Sequence, residues 1–283
     1  MTADVTNPDV TNPDVADRSP SLGHQTDQTR AFLAMARRAI VGFFRQPASW
    51  VFGAMFPLLI TAVSASAFGR ATSLPGFPDA ESFLQFLMAG TILQGTLFGS
   101  INASTDLALD IENGFMDRLL ASPVSRVSIL VSRLAGAATY GAGVTLFYIL
   151  VFRLFGAEVE GGIAGAVVMI VLSMVMAIGV GGYGAAIGLR TGSAEAVGNS
   201  FPLLFILLFI SSAFFPIETM SGIYRRVAQA NPITYVIDAS RHQVLVGFDL
   251  GEALVGLVVA LGFAGLTIGF ALRQLKHRLA DVS

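Results

Sequence analysis

The residue types that perform catalysis or bind metals are scarce in this chain and widely separated. Its three histidines, His24, His242 and His277, lie in the N-terminal tail, a polar segment and the C-terminus. This separation excludes a histidine metal cluster and argues against a His-dependent hydrolase. The chain has no cysteine, which excludes a thiolate metal site and a disulfide framework.

The sequence also lacks the means to bind ATP phosphates. The sole lysine, Lys276, lies in the C-terminal tail, and no G-x-x-x-x-G-K-[ST] motif is present to hold a nucleotide. A net charge of −2 at pH 7 gives no indication of nucleic acid as a partner. We therefore expect neither a catalytic centre nor a cofactor bound by this chain.

The composition is typical of a protein embedded in a membrane. Of the 283 residues, 54% are hydrophobic and only 13% are charged, as in polytopic helical membrane proteins. The N-terminus is polar and acidic, so it does not resemble a cleavable signal peptide. None of the 19 acidic residues falls centrally in an apolar run, although proton- and sodium-coupled carriers usually need one there.

Six apolar runs are each long enough to cross a bilayer as a helix. They are approximately Ala48 to Gly69, Phe83 to Leu109, Val127 to Phe155, Gly162 to Leu189, Ala194 to Phe215 and Gly251 to Leu272. With the N-terminus in the cytoplasm, twelve of the seventeen basic residues lie on the cytoplasmic side. The sequence predicts an all-α protein with six transmembrane helices over residues 47–273 and a cytoplasmic tail over 274–283. We expect the protein to lie in the cell inner (plasma) membrane, with its N- and C-termini both in the cytoplasm.

Two segments precede the first apolar run. Residues 1–29 contain a repeated D-V-T-N-P unit and little apolar surface, so we expect them to be disordered. In residues 30–46, Arg37, Arg38 and Arg45 share one helical arc opposite an apolar face. This pattern predicts an amphipathic helix lying along the inner membrane surface.

Charged residues concentrate in the stretch from Asp106 to Arg133, which holds seven of them, against 17 basic and 19 acidic residues in the whole chain. The stretch lies between the second and third apolar runs, and Asn113 is a candidate N-cap for a short helix over residues 113–121. Phe115 and Leu119 are four residues apart, as are Met116 and Leu120, so this helix has an apolar ridge. The ridge either contacts a partner or packs on its own bundle.

The same stretch carries the pattern E-x-G-x-x-x-x-L-x-x-S-P-x-S-R, which resembles the signature loop of ABC-2 type exporter permeases. That class includes the daunorubicin-resistance-like drug and lipid exporters. The resemblance implies that residues 113–121 are a coupling helix seated in a cleft of an ATP-binding subunit, and that residues 30–46 also touch this subunit. The candidate coupling residues are Glu112, Gly114, Phe115, Met116, Leu119, Leu120, Ser122, Pro123 and Arg126.

The polar segment 216–248 separates the fifth and sixth apolar runs and predicts two short amphipathic helices broken at Asn231-Pro232. The resemblance implies re-entrant helices here, with P-x-E and N-P-x-x-Y motifs. The matching residues are Pro216, Glu218, Asn231, Pro232 and Tyr235. Glu218 either pairs with Arg225, Arg226 or a partner subunit, or marks the membrane boundary.

Together these features favour a non-enzymatic permease subunit of an ATP-driven exporter for a hydrophobic or amphiphilic substrate, such as a drug, antibiotic or lipid-like molecule. The resemblance implies two ATPase subunits that hold ATP and Mg, and a second permease copy or homologue. Membrane lipid is a further partner. An ion-coupled carrier or channel, which would work without an ATPase, and a polytopic membrane enzyme, which would turn over substrate alone, remain as alternatives.

Overall fold

The computed structural model describes residues 47–114 and 126–280. Five helices are long: α1 Pro47–Phe68, α2 Phe83–Glu112, α3 Arg126–Leu154, α4 Gly162–Thr191 and α9 Leu250–Ala280. Four are short: α5 Ala194–Asn199, α6 Phe201–Phe209, α7 Gly222–Ala230 and α8 Pro232–Leu245. Two 3-10 turns, Gly69–Ser73 and Ile217–Thr219, complete the regular structure. Within the described ranges there is no strand, which confirms the predicted all-α class.

The fifth predicted span is the exception among the six. Five described helices are long and apolar enough to cross a membrane, whereas the run from Ala194 is divided into α5 and α6. Pro202 lies in the first turn of α6 and has no N–H to continue a helix from α5. The hydroxyl of Ser200 instead donates to the Val197 carbonyl, 2.7 Å away, at the break. The run is therefore helical and apolar, but interrupted.

The helices cross the bundle in alternating directions. Phe68 lies beside Phe83, with ring centroids 6.4 Å apart, and Phe56 lies beside Phe98 at 5.3 Å, so α1 and α2 are antiparallel. The segment α5–α6 starts beside Glu112 and leads to Ala213, which packs against Gly90 near the start of α2. The described chain thus crosses the bundle six times. We name its two ends the Glu112 end and the Pro216 end.

Helix α2 lies at the centre of this arrangement, packed against α1, α3, α4, α5 and α8. Its apolar side chains Phe86, Met88 and Ile92 are buried. Close approach of α3 requires glycine at position 99, because a Cβ there would collide with the Tyr140 ring. The central helix therefore contacts most of the elements that lead to either end of the bundle.

The two short helices predicted between the fifth and sixth runs are present as α7 and α8, and they meet at Asn231. Helix α7 is mostly exposed, whereas α8 is buried through Ile233, Val236 and Ile237. It packs against α2, α4 and α9. Their entry into the membrane stays a prediction.

Candidate functional site

The Glu112 end holds the described part of the predicted coupling region. Asn113 closes α2 as its C-cap, with its N–H bonded to the Leu109 carbonyl at 3.0 Å, and Gly114 follows with a φ of 65°. The helix that Asn113 was predicted to start lies outside the described residues. Several candidate residues lie outside them too: Phe115, Met116, Leu119, Leu120, Ser122, Pro123, Arg37, Arg38 and Arg45, while Arg126 begins α3.

Glu112 itself makes a contact inside the chain. Its Oε1 accepts a hydrogen bond from the backbone N–H of Ala194 at 2.7 Å. Ala194 is the first residue of α5, and the Ser193 hydroxyl caps the same helix by accepting from the Ala196 N–H at 3.3 Å. Side chains at two positions therefore satisfy N–H groups in the first turn of α5 that have no partner within the helix.

Further polar contacts join the other helices at this end. Asp110 on α2 forms an ion pair with Arg133 on α3. Arg278 on α9 donates from Nη1 to the Leu189 carbonyl of α4 at 3.3 Å. Gly192, with a φ of 66°, makes the turn between α4 and α5. The helix ends at the Glu112 end are thus tied to one another by side chains.

At the Pro216 end, Arg241 forms a buried network that the sequence reasoning missed. Its Nη1 donates to Asp238 Oδ1 at 2.7 Å, and its Nη2 donates to the Ser212 carbonyl at 2.5 Å. The guanidinium lies 4.0 Å from the centroid of the Phe86 ring, and the Ser212 hydroxyl donates to Asp238 at 2.6 Å. Helices α2 and α8 and the chain after α6 are joined at this point.

Asp238 is the more exposed member of this network, since 40% of its side chain is accessible, against 8% for Arg241. Burial raises the pKa of Asp238, while the Arg241 guanidinium and the Ser212 hydroxyl act to lower it. The i, i+3 spacing of Asp238 and Arg241 is the sequence signal that could have indicated this pair.

The predicted motif residues shape the joint between α7 and α8. The Asn231 amide donates from Nδ2 to the Leu207 carbonyl at 2.6 Å, and its Oδ1 accepts from the Ile233 N–H at 3.0 Å. Pro232 is the first residue of α8, where a missing N–H is tolerated. The Tyr235 hydroxyl donates to the Gln229 carbonyl at 2.9 Å. These residues hold the two helices against α6.

The other motif pair lies just before α7. Pro216 is buried and precedes the 3-10 turn Ile217–Thr219, while Glu218 within that turn is exposed. Among the described residues, Glu218 forms no ion pair with Arg225 or Arg226. The expected pairing within the subunit is therefore not made here.

A cavity of about 400 Å³ opens between α6, the 3-10 turn and α7. We call it the aromatic cleft. Its lining residues are Phe209, Ser211, Phe214, Phe215, Thr219, Met220 and Tyr224. The rings of Phe209 and Phe214 are stacked with centroids 4.8 Å apart, and the Tyr224 hydroxyl donates to the Phe209 carbonyl.

Comparison with known proteins places the chain in a family of transporters. The ABC-2 type transporter family matches residues 30–245. A daunorubicin resistance ABC transporter permease protein of Streptomyces coeruleorubidus is 30% identical over 236 residues, which cover 83% of this chain and 81% of that protein. A putative transport permease of Cyanophora paradoxa is 27% identical over 209 residues, covering 73% and 71%.

The family match includes the α2 to α3 region and the α7–α8 joint, where the resemblance in the sequence had been noted. The apolar helices of the structure agree with a membrane protein. The chain is a member of the ABC-2 type transporter family, a membrane subunit of an ABC transporter that associates with an ABC ATPase partner.

Proposed function

We propose that this chain is the non-catalytic permease subunit of an exporter, and that it moves a hydrophobic or amphiphilic cargo out of the cytoplasm or the inner leaflet. It pairs with a second permease copy or a homologue. Two ATPase subunits bind ATP and Mg and supply the energy. The Glu112 end faces the cytoplasm and the Pro216 end faces outward, in the orientation favoured by the distribution of basic residues.

The contact with the ATPase lies at the loop that follows Glu112, together with residues 30–46. The support for this is the pattern E-x-G-x-x-x-x-L-x-x-S-P-x-S-R and its placement at the end of the most central helix. Movement of that loop acts directly on α2. Because α2 touches α1, α3, α4, α5 and α8, a shift of its end reaches most of the bundle.

The aromatic cleft is the observation that supports a hydrophobic or amphiphilic cargo. A volume of about 400 Å³ falls within the range of small-molecule sites. Four of the seven lining residues are aromatic and none is charged. The hydroxyls of Ser211, Thr219 and Tyr224 each donate to a backbone carbonyl, so they offer a cargo only acceptor lone pairs. Such a site suits a neutral ring system that carries hydroxyl or amine donors.

The named relative from Streptomyces coeruleorubidus supports a drug-like cargo, since its name refers to daunorubicin resistance. An ion-coupled carrier is the competing function. Within the described ranges, the acidic residues of α2 are Asp106, Asp110 and Glu112, all in the last two turns of the helix. That position suits an end of the bundle rather than an ion path through its centre.

The test is transport by the permease reconstituted in vesicles with its ABC ATPase partner. We expect uptake of a fluorescent planar aromatic dye into inside-out vesicles on addition of ATP. A matched preparation uses an ATPase variant that binds ATP and does not hydrolyse it. Uptake that continues with this variant, or that stops when ionophores collapse ion gradients, would contradict an ATP-driven exporter.

A further inference from the structure

The hydrogen bond between Glu112 and Ala194 joins residues that are 82 positions apart in the chain. Glu112 is the last residue of α2, directly before the loop proposed to contact the ATPase. Ala194 is the first residue of α5, which leads through α6 to Phe209 in the aromatic cleft. Both residues lie at the Glu112 end, so the contact joins the end of α2 to the segment that leads along the chain to the aromatic cleft.

The turn before Ala194 is confined on two sides. A methyl group built on Gly192 would lie 3.8 Å from Ile111 Cγ2 of α2 and 3.4 Å from Arg278 Nη1 of α9. Helix α5 packs against α2, and its Val197 side chain is fully buried against Gly184 and Gly188 of α4. A displacement of the end of α2 would therefore move the start of α5.

The fifth crossing is interrupted at Ser200, so no continuous helix joins α5 to α6. Helix α5 has only six residues, so its position depends on the contacts at its start and on the packing of Val197 against α4, rather than on a long helical hydrogen-bond ladder. The Glu112 carboxylate is a charged acceptor, but the bond is exposed, so water reduces the advantage over a neutral acceptor. It is the side chain of α2 that holds the first N–H of α5.

We propose that Glu112 is a positioning residue that transmits movement of the loop after α2 to the interrupted fifth crossing, through its hydrogen bond to the Ala194 N–H. This inference rests on the proposed function. It assigns Glu112 a task inside the permease, whereas the sequence pattern alone predicted a contact with the ATPase.

Substitution Ala194→Pro separates these two roles. It removes the donated N–H without changing Glu112 or any side chain of the loop. Ala194 is the first helical residue, where proline is tolerated, and the preceding Ser193 has φ −126° and ψ 124°, which is compatible with a following proline. The matched variants are Glu112→Gln, which keeps an acceptor oxygen, Glu112→Ala, which removes it, and Glu195→Gln, a neighbouring exposed carboxylate.

Transport per ATP hydrolysed is measured on the assembled complex with its ATPase. We expect Ala194→Pro and Glu112→Ala to lower it by about fivefold, the scale of one hydrogen bond in an exposed setting, and their combination to lower it no further. Glu195→Gln should stay close to the native value, and Glu112→Gln, which keeps only a neutral acceptor oxygen, should fall between the native value and that of Glu112→Ala. Native transport in Ala194→Pro would overturn the inference, as would loss of ATPase assembly in Glu112→Gln beside normal assembly in Ala194→Pro.

A second readout does not require transport. Asn199, the exposed last residue of α5, is replaced by cysteine in this cysteine-free chain, and its rate of maleimide labelling is followed in lipid nanodiscs. ATP should change that rate in the otherwise native complex and leave it unchanged when Ala194→Pro is added. An equal response to ATP in both would overturn the inference, even if no dye is exported and the proposed function fails.

Discussion

Arg241 on α8 lies over the ring of Phe86 on α2, with the guanidinium carbon 4.0 Å from the ring centroid. The same guanidinium donates from Nε to the Phe86 carbonyl at 3.4 Å and from Nη1 to Asp238 at 2.7 Å. Helix α8, which lies between the α5–α6 segment and α9 in the chain, is thereby fixed to the central helix. The network supplies a stable base for the exposed helix α7 and for the aromatic cleft beside it.

Substitution Arg241→Met should lower the stability of the purified permease by about 2–3 kcal/mol. Breaking an ion pair lowers stability most when both partners are buried. Because Asp238 is partly exposed, the expected loss of stability is smaller here. The difference is measured by thermal unfolding of the native and variant permeases in the same detergent. The double change Arg241→Met with Asp238→Asn should recover part of the loss, because no unpaired charge remains.

Arg225→Met on the exposed face of α7 is the control for this network. It removes an arginine without breaking a buried contact, so its unfolding midpoint should match that of the native chain. Equal midpoints for Arg241→Met and Arg225→Met would show that the buried network contributes nothing measurable.

The long helices could be predicted because crossing a bilayer requires about 20 apolar residues, and this requirement is visible in any window of the sequence. The run from Phe83 to Leu109, for instance, became α2, Phe83–Glu112. The interruption of the fifth run also had a local cause, Pro202, although the length and apolarity of the run favoured one continuous helix.

The contacts that define the candidate sites could not be predicted in this way. Arg241 and Phe86 are 155 residues apart, and Glu112 and Ala194 are 82 apart. Such pairs depend on which helices become neighbours, and neither periodicity nor spacing contains that information. The motif containing Asn231 was found from the family resemblance, but its bond to Leu207 requires the position of α6.

Asn231 caps α8 and also donates to the Leu207 carbonyl. Comparing asparagine, serine and alanine at this position separates these two roles. Asn231→Ser keeps an oxygen that caps α8 and loses the bond to the Leu207 carbonyl, whereas Asn231→Ala loses both. We expect the alanine variant to be less stable than the serine variant by about 1 kcal/mol, the usual value of an N-cap. The serine variant should in turn unfold below the native chain, and Gln229→Ala, an exposed neighbour, should not.

Orientation can be tested with single cysteines, since the native chain has none. Ser73 and Ser221 are exposed at the Pro216 end, so cysteines there should react with an impermeant thiol reagent in intact cells. A cysteine at Asn199 should be protected. Ala157 lies at the Pro216 end but is only 2% exposed, so a cysteine there should react slowly. Rapid labelling at position 199 from outside would reverse the proposed orientation.

Glu218 should be dispensable for stability, because it is exposed and, among the described residues, forms no ion pair. We expect Glu218→Gln to change the free energy of unfolding by less than about 0.5 kcal/mol. If export falls nevertheless, the carboxylate acts on the cargo, on a partner subunit, or through its charge on the nearby Asp238 and Arg241. Glu252→Gln, an exposed carboxylate at the start of α9, is the matched control. Equal export by the two variants would leave Glu218 as a residue of the membrane boundary only.

The aromatic cleft should bind rings in preference to saturated molecules of the same size. Thr219→Cys places a thiol in the cleft, and its labelling rate in nanodiscs reports occupancy. We expect 2-naphthol to slow this labelling and decahydro-2-naphthol to slow it much less. The two share a carbon skeleton and one hydroxyl, and only the first can stack against Phe209 and Phe214. Labelling of a cysteine at Ser73, outside the cleft, should respond to neither.

Removal of the stacked rings tests the same preference from the protein side. Phe209 is 44% exposed, so Phe209→Ala should fold and should weaken protection by 2-naphthol by about threefold to tenfold, as expected for one lost aromatic contact of 0.5–1.5 kcal/mol. Phe155→Ala removes an exposed ring that follows α3 at the same end of the bundle and does not line the cleft, and protection should persist. Equal protection by the aromatic and the saturated compound would mean that the cleft selects for apolarity alone. Absence of labelling before any compound is added would mean that a second subunit covers the cleft.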